Sequence, residues 1–179
     1  MRIKGGDGRI ADVDEANRLQ TYAVTQNLQQ TLLFKELLSS VYFAVVPANA
    51  NDYFFYLKNN GTTHVGINFA LFSSSVVTNI LFEAVTGTPV YVTGADAAIT
   101  NLVIGSPKGP DVEAKYDTDI TGLTSAGILT LADAPVAEGV YQSQLMGGIV
   151  IPQGQAIAIK RVAATGDIKM NLSLGVMAF

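Results

Sequence analysis

The sequence predicts an all-β protein, an antiparallel sandwich or barrel of about eight strands. Three observations predict this class. Short apolar segments alternate with polar residues, turn-forming residues recur at intervals of about ten residues from position 41 onward, and no long helices alternate with the strands. A jelly roll, in which two antiparallel sheets pack face to face, is the leading architecture.

The first 26 residues differ in composition from the rest of the chain. Three of the first eight residues are glycines, and seven charges fall between Lys4 and Arg18 with few large apolar side chains among them. We predict an extended N-terminal arm over residues 1–26, with a strand-like alternation at 19–25, and the sandwich over residues 27–179. The arm's anchoring residues for docking onto another surface are Arg9, Ile10, Val13, Arg18, Leu19 and Tyr22.

Residues 27–40 are the only stretch with helical periodicity. Leucines recur there between Gln, Lys and Glu, Asn27 is a suitable N-cap, and two serines end the stretch. We predict one short helix whose leucine face packs between protomers or beneath the sandwich. The leucines of that face are Leu28, Leu32, Leu33 and Leu37.

The predicted strands follow in order after the helix. They are residues 41–46, 53–58, 65–72, 76–85, 99–104, 128–131, 140–146, 156–162 and 168–179. Asn59, Asn60 and Gly61 form a turn of the type that hairpins favour. The segments 65–72 and 76–85, joined by three serines, are predicted to form a hairpin with one buried face.

Composition excludes several functional classes. The chain has no cysteine, so disulfides, thiolate metal sites and thiol nucleophiles are absent, and a single histidine, His64, cannot build a multi-histidine site within one chain. A net charge of -4 with one adjacent basic pair, Lys160 and Arg161, argues against nucleic-acid binding. We expect no enzyme, cofactor or metal; a hydrolase using only carboxylates is the surviving enzymatic alternative.

Two segments have compositions that would also fit a ligand-binding site. The acidic run 111–122 opens like a calcium loop, but the position that needs a bidentate glutamate is Ile128, so we predict a solvated loop, with a looser oxygen-ligand site as the alternative. The aromatic segment 53–56 is predicted to fill the core, with a sugar-stacking platform as its alternative.

The surface is unusually poor in charge. Charged residues make up 15% of the chain, against about 25% in typical domains, and apolar residues 49%. We therefore expect part of the surface to be buried against partners. No segment has the composition of a membrane span, and the opening residues lack a signal-peptide core, so we expect neither membrane insertion nor secretion by that route.

Three segments resemble virion proteins of tailed bacteriophages: GGDGRIADVDEANRL at 5–19, YLKNNGT at 56–62 and IPQGQAIAI at 151–159. In that group an N-terminal arm precedes a jelly-roll sandwich, and homotrimers decorate or cement the capsid or form fibres. The resemblance implies a non-enzymatic homotrimeric decoration or cement protein, made in the host cytoplasm and located on the capsid surface. Its arm would contact the major capsid protein.

Two other functions are compatible with the same residues. The trimer would instead serve in the tail, as an adaptor, fibre base or receptor-binding component. The second alternative belongs to a different class, a carbohydrate-binding β-sandwich module whose partner would be a host surface glycan.

Overall fold

The computed structural model describes residues 2–4, 10–13, 19–21, 37–134, 137–162 and 166–177. Over these ranges the chain is all-β, as the sequence predicts, and contains no helix. None of the described residues therefore belongs to a helix long and apolar enough to cross a membrane. The chain divides into two compact units, Met1–Thr31 and Leu32–Phe179.

The described residues of the first unit form a small antiparallel sheet in the order β1-β2-β3. Its strands are β1 (Arg2–Lys4), β2 (Ile10–Val13) and β3 (Leu19–Thr21). The sequence predicted a strand at the position of β3 but neither β1 and β2 nor the pairing of the three, because strands of three or four residues carry too little alternation to be recognised.

The second unit contains two antiparallel sheets that together form a β-sandwich. Sheet I has the order β11-β6-β13-β4-β9, and its strands are β4 (Leu38–Val45), β6 (His64–Ser74), β9 (Ala98–Asn101), β11 (Val140–Ile151) and β13 (Ile168–Met177). Sheet II has the order β5-β12-β7-β10-β8, and its strands are β5 (Tyr53–Asn59), β7 (Thr78–Tyr91), β8 (Ala95–Asp96), β10 (Val112–Ala134) and β12 (Ala156–Arg161).

Aromatic side chains fill the core between the sheets. Phe43 of sheet I stacks on Phe55 of sheet II, with ring centroids 4.4 Å apart, and also lies near Phe54 and Tyr116. Phe54 and Phe55 are fully buried, and Tyr56 is buried on the other face of the same strand. The predicted core-filling role of segment 53–56 is confirmed, and its sugar-stacking alternative is wrong, since three of its four rings are out of solvent.

Strand β10 closes sheet II on itself. Its residues 112–116 pair with β5, and its residues 123–134 pair with β7, while β5 and β7 are both paired with β12. The register with β7 shifts at three places, and each shift marks a bulge that bends the strand. Gly122 has a φ of 76° at one of them; a Cβ on it would lie 2.4 Å from the carbonyl oxygen of Thr88.

Three local predictions need correction. The acidic run 111–122 is not a loop but the first half of β10, held there by pairing with β5 and β7. The turns after β5 and β6 do not close hairpins, because β6 lies in sheet I while β5 and β7 lie in sheet II. Each of these turns instead carries the chain across the sandwich.

The predicted helix over residues 27–40 is wrong at its C-terminal end. Residues 38–40 belong to β4, where Ser39 pairs with Leu174 and Ser40 with Ser173. Pairing along the whole edge of β13 outweighs the local helical preference of these residues. The remainder of the predicted helix, residues 27–36, lies outside the described residues.

Asn59 joins the two sheets at one end of the sandwich. Its side chain is fully buried, and its Nδ2 donates hydrogen bonds to the carbonyl oxygens of Thr63 (2.7 Å) and Ile151 (2.9 Å). Its Oδ1 accepts the N–H of Gly61 at 3.0 Å. One side chain at the end of β5 thus fixes the turn into β6 and the end of β11.

We predict that Asn59→Ala lowers the free energy of unfolding by about 2–3 kcal/mol, because it leaves the buried carbonyl of Ile151 without a donor. Urea unfolding followed by circular dichroism measures this loss. Asn60→Ala, at the exposed neighbouring position, is the matched control and should change stability by less than about 0.5 kcal/mol. Equal effects of the two substitutions would contradict the role assigned to Asn59.

Candidate functional site

Three of the six predicted arm residues fall in the sheet of the first unit. Ile10 and Val13 lie in β2 and Leu19 in β3, where Val13 and Leu19 are paired across the two strands. The structure therefore brings the backbones of Val13 and Leu19 side by side. The other three, Arg9, Arg18 and Tyr22, lie outside the described residues.

Of the four leucines predicted for oligomer packing, the structure describes Leu37 alone. It is half-buried immediately before β4, and its carbonyl oxygen accepts the N–H of Val176 at 3.0 Å. Leu37 is thus anchored to sheet I rather than to a described helix. Leu28, Leu32 and Leu33 lie outside the described residues.

The closed part of sheet II surrounds a buried polar cluster that the sequence did not reveal. Glu83, on β7, is 2% exposed, and its Oε1 lies 2.8 Å from Nζ of Lys160 on β12. The hydroxyl of Tyr53, on β5, donates to Oε2 of Glu83 at 2.5 Å. Nζ of Lys160 also lies 5.3 Å from the centre of the Tyr53 ring. Lys160 and Tyr53 therefore each contact one of the two carboxylate oxygens of Glu83.

The electrostatics of this cluster favour a structural role. Burial alone would raise the pKa of Glu83, but hydrogen bonds from Lys160, Tyr53 and Ser125 outweigh it, and the pKa lies below the ordinary value of 4.5. Burial and the neighbouring carboxylate raise the pKa of Tyr53 to about 12. A paired carboxylate and a phenol with so high a pKa are poor proton carriers near neutral pH.

A small apolar cluster packs beside these polar groups on the same face of sheet II. Tyr56, Val85, Ile120 and Ala158 form it, with Tyr91 at its margin. Burial and nearby Glu113 raise the pKa of Tyr91. The two bent strands β7 and β10 therefore enclose a second core outside the main one, which the sequence analysis missed.

Asp117, from the acidic run, caps the turn that follows β7. Its carboxylate accepts the N–H groups of Thr93 and Gly94, each at 2.9 Å, and of Thr118 at 2.7 Å. Burial would raise the pKa of Asp117, but these backbone hydrogen bonds outweigh it and the pKa is lowered. This carboxylate is thus engaged in holding the turn.

Asp119, from the same acidic run, lies near two other carboxylates. Burial raises the pKa of Asp119, and the charges of Asp52 and Asp117 raise it further. Among the residues that the structure describes, no group of three or more His, Cys, Asp or Glu side chains is placed to hold a metal ion.

Arg161 is a fully buried cation at the end of β12. Its Nη1 donates to the carbonyl oxygen of Gly166 at 2.8 Å, whereas Nε and Nη2 have no hydrogen-bond partner among the described residues. Burial lowers the pKa of the guanidinium. The sequence analysis missed this buried cation, although the alternation of Ile157, Ile159 and Arg161 along β12 is a signal that could have placed its side chain on the core side.

One shallow pocket of about 250 Å³ opens between the strand ends of sheet I and neighbouring turns. Its lining residues are Ser73, Ser74, Ser75, Glu138, Asp167 and Lys169. The lining contains no aromatic ring, the group on which protein sites usually stack a sugar. Its geometry gives no specific support to carbohydrate binding.

Comparison with protein-family models, with curated proteins and with solved structures finds no match.

We predict that Lys160→Met costs about 3 kcal/mol of stability at pH 7, because it leaves the buried carboxylate of Glu83 without its cation. In the native protein the lowered pKa of Glu83 contributes stability above pH 4.5 that is lost as the pH falls. In the variant, burial raises that pKa, so the loss should shrink on acidification. Urea unfolding at pH 4, 5.5 and 7 measures both trends.

Lys169→Met, which removes an exposed lysine of sheet I, is the control for the loss of one positive charge. It should leave stability nearly unchanged at all three pH values. A loss in Lys160→Met that does not vary with pH would show that Glu83 is not the group left unpaired.

Proposed function

We propose that the sandwich of the second unit is a jelly roll. The strand orders β4-β13-β6-β11 in sheet I and β5-β12-β7-β10 in sheet II support this topology. In both orders, strands distant in sequence lie side by side, and the successive strands β4 to β7 alternate between the sheets. The short strands β8 and β9 extend one side of the sandwich.

We further propose that the protein is a non-enzymatic structural component of a tailed-bacteriophage virion, a homotrimer that decorates or cements the head. The observation that carries this proposal is the division of the chain into a small N-terminal β unit and a β-sandwich. The phage-like segment 5–19 falls in the small unit, and the segments 56–62 and 151–159 fall in the sandwich.

The hydrogen bonds and the ion pair made by the buried polar groups support a function without catalysis. Glu83 is held by Lys160 and Tyr53, and Asp117 is held by backbone N–H groups. Polar side chains that are paired in this way stabilise the fold instead of meeting a substrate. The same groups offer no support for a hydrolase built on carboxylates.

The proposed mechanism is mechanical. Association of three sandwiches removes apolar surface from water, which stabilises the trimer by about 25 cal/mol per Å². Three N-terminal units on one trimer then bind the major capsid protein together, so that weak contacts gain from a high effective concentration. Made in the host cytoplasm, the protein would act on the capsid surface.

A component of the phage tail with the same fold is the second candidate function, because a head protein and a tail protein could both use the N-terminal unit and the sandwich. The number of copies per particle separates the two.

We predict that a chain lacking residues 1–20 remains folded and trimeric but no longer binds capsids. Sedimentation of purified protein with capsids that lack it measures binding, and circular dichroism measures folding. In the full-length chain, Val13→Asp with Leu19→Asp should weaken binding at least tenfold, because two adjacent apolar contacts become charged. Val92→Asp, at an exposed position of the sandwich, is the control.

Capsid binding that survives both the truncation and the paired substitution would contradict the role of the N-terminal unit. That result would not bear on the proposed trimer or on the fold of the second unit, since both changes lie in the first unit.

A further inference from the structure

We propose that copies of this chain pack against one another through one side of the sandwich, here named the β10–β11 edge. It consists of residues 123–134 of β10 and of strand β11. This inference rests on the homo-oligomer of the proposed function and names the surface that forms it.

The β10–β11 edge is the side where both sheets end. Residues 123–134 of β10 pair with β7, and β11 pairs with β6; on their other sides neither segment is paired with any strand that the structure describes. The two segments follow each other in the chain and lie in contact. They therefore form one continuous side of the sandwich, about 12 residues long on each strand.

Large apolar side chains are exposed on both strands of this edge. Ile128 is 63% exposed, Leu129 45% and Leu131 48% on β10, and Val140 is 71% and Val150 41% exposed on β11. Soluble proteins usually protect a long edge strand with charged side chains or proline. Exposed aliphatic side chains in their place indicate a surface that is covered in the assembled protein.

The distribution of charge points to the same side. Residues 120–134 carry one charge, Asp133, and residues 137–159 carry one, Glu138. Residues 93–119, which include β8, β9 and the first half of β10 at the opposite side, carry seven. The opposite side also exposes Ile99, Leu102 and Ile104, but these lie among seven charges, whereas the nearly uncharged β10–β11 edge suits a partner surface that is also uncharged.

The bulges in β10 and β11 limit the kind of contact that this edge can make with another subunit. Within this edge, register shifts interrupt β10 twice, between Ser125 and Gly127 and between Ile128 and Thr130, and β11 once, between Gln144 and Ile149. A bulged edge cannot extend its hydrogen-bond ladder into a neighbouring subunit over its full length. We therefore infer packing of side chains between subunits, not one sheet running through the oligomer.

The dimensions of the edge fit a second copy of the chain. Twelve residues at about 3.3 Å each give a length of roughly 40 Å, and two sheets about 10 Å apart with their side chains give a width of roughly 20 Å. The resulting area of about 800 Å² is what one partner contributes to a stable protein–protein interface. A second copy supplies an uncharged surface of the same kind, and in the proposed homotrimer three such edges would meet around the threefold axis.

The test is the molar mass of the intact protein in solution, measured by light scattering after gel filtration. The native chain should be an oligomer at micromolar concentration, and Ile128→Lys with Leu131→Lys should convert it to a folded monomer. Val140→Lys alone should weaken association at least tenfold. Its matched control is Val92→Lys, because Val92 is 70% exposed where Val140 is 71% exposed.

A second measurement does not depend on disrupting the interface. Since the chain has no cysteine, Leu129→Cys and Val92→Cys each introduce a unique thiol. Maleimide labelling of the thiol at position 129 should become faster when the protein is diluted to monomer, whereas the labelling rate at position 92 should not change with concentration.

The outcomes separate this inference from the proposed function. A native monomer, edge variants that stay oligomeric, or a thiol at position 129 whose labelling rate does not change on dilution would contradict the proposal that copies pack through the β10–β11 edge. Capsid binding by such a protein would still support the virion function. Conversely, an oligomer that dissociates in the edge variants but never binds capsids would support packing through the β10–β11 edge and contradict the proposed virion function.

Discussion

The bending of β10 is the constraint on which the second unit depends. One strand pairs with β5 through its first half and with β7 through its second half, and it can do so because bulges and Gly122 turn it between the two. This path closes sheet II and encloses the small cluster around Tyr56 and Ile120. It also leaves the second half of the strand at the side of the sandwich, beside β11.

Closure of sheet II explains why charged residues are buried in a protein with few of them. Glu83 leaves solvent only because β7, β12 and β5 bring Lys160 and Tyr53 to its two oxygens. These contacts offset part of the desolvation cost of the buried carboxylate and link side chains of three strands. Arg161 is also fully buried, and its Nη1 donates to the carbonyl oxygen of Gly166.

The sequence predicts the fold class better than the path of individual strands. Strict alternation over residues 168–176 identifies β13, because one face of that strand is buried along its length. Only residues 128–131 of β10 were predicted as a strand. Its first half escaped recognition because Asp117, Asp119 and Gly122 give it the composition of a loop, although the buried Asp117 holds the turn after β7. The cluster at Glu83 had no local signal, since it depends on the register of three distant strands.

The central claim, that this sandwich is a repeated structural part of a virion head, is tested most directly by counting its copies. Quantitative mass spectrometry of phage particles purified from cells that carry the gene for this chain would give the ratio of the chain to the major capsid protein. A decoration or cement protein predicts hundreds of copies in simple ratio to the capsid protein. A dozen copies or fewer would contradict a place on the head surface and assign the chain to the tail or a single vertex, and none at all would contradict the virion function.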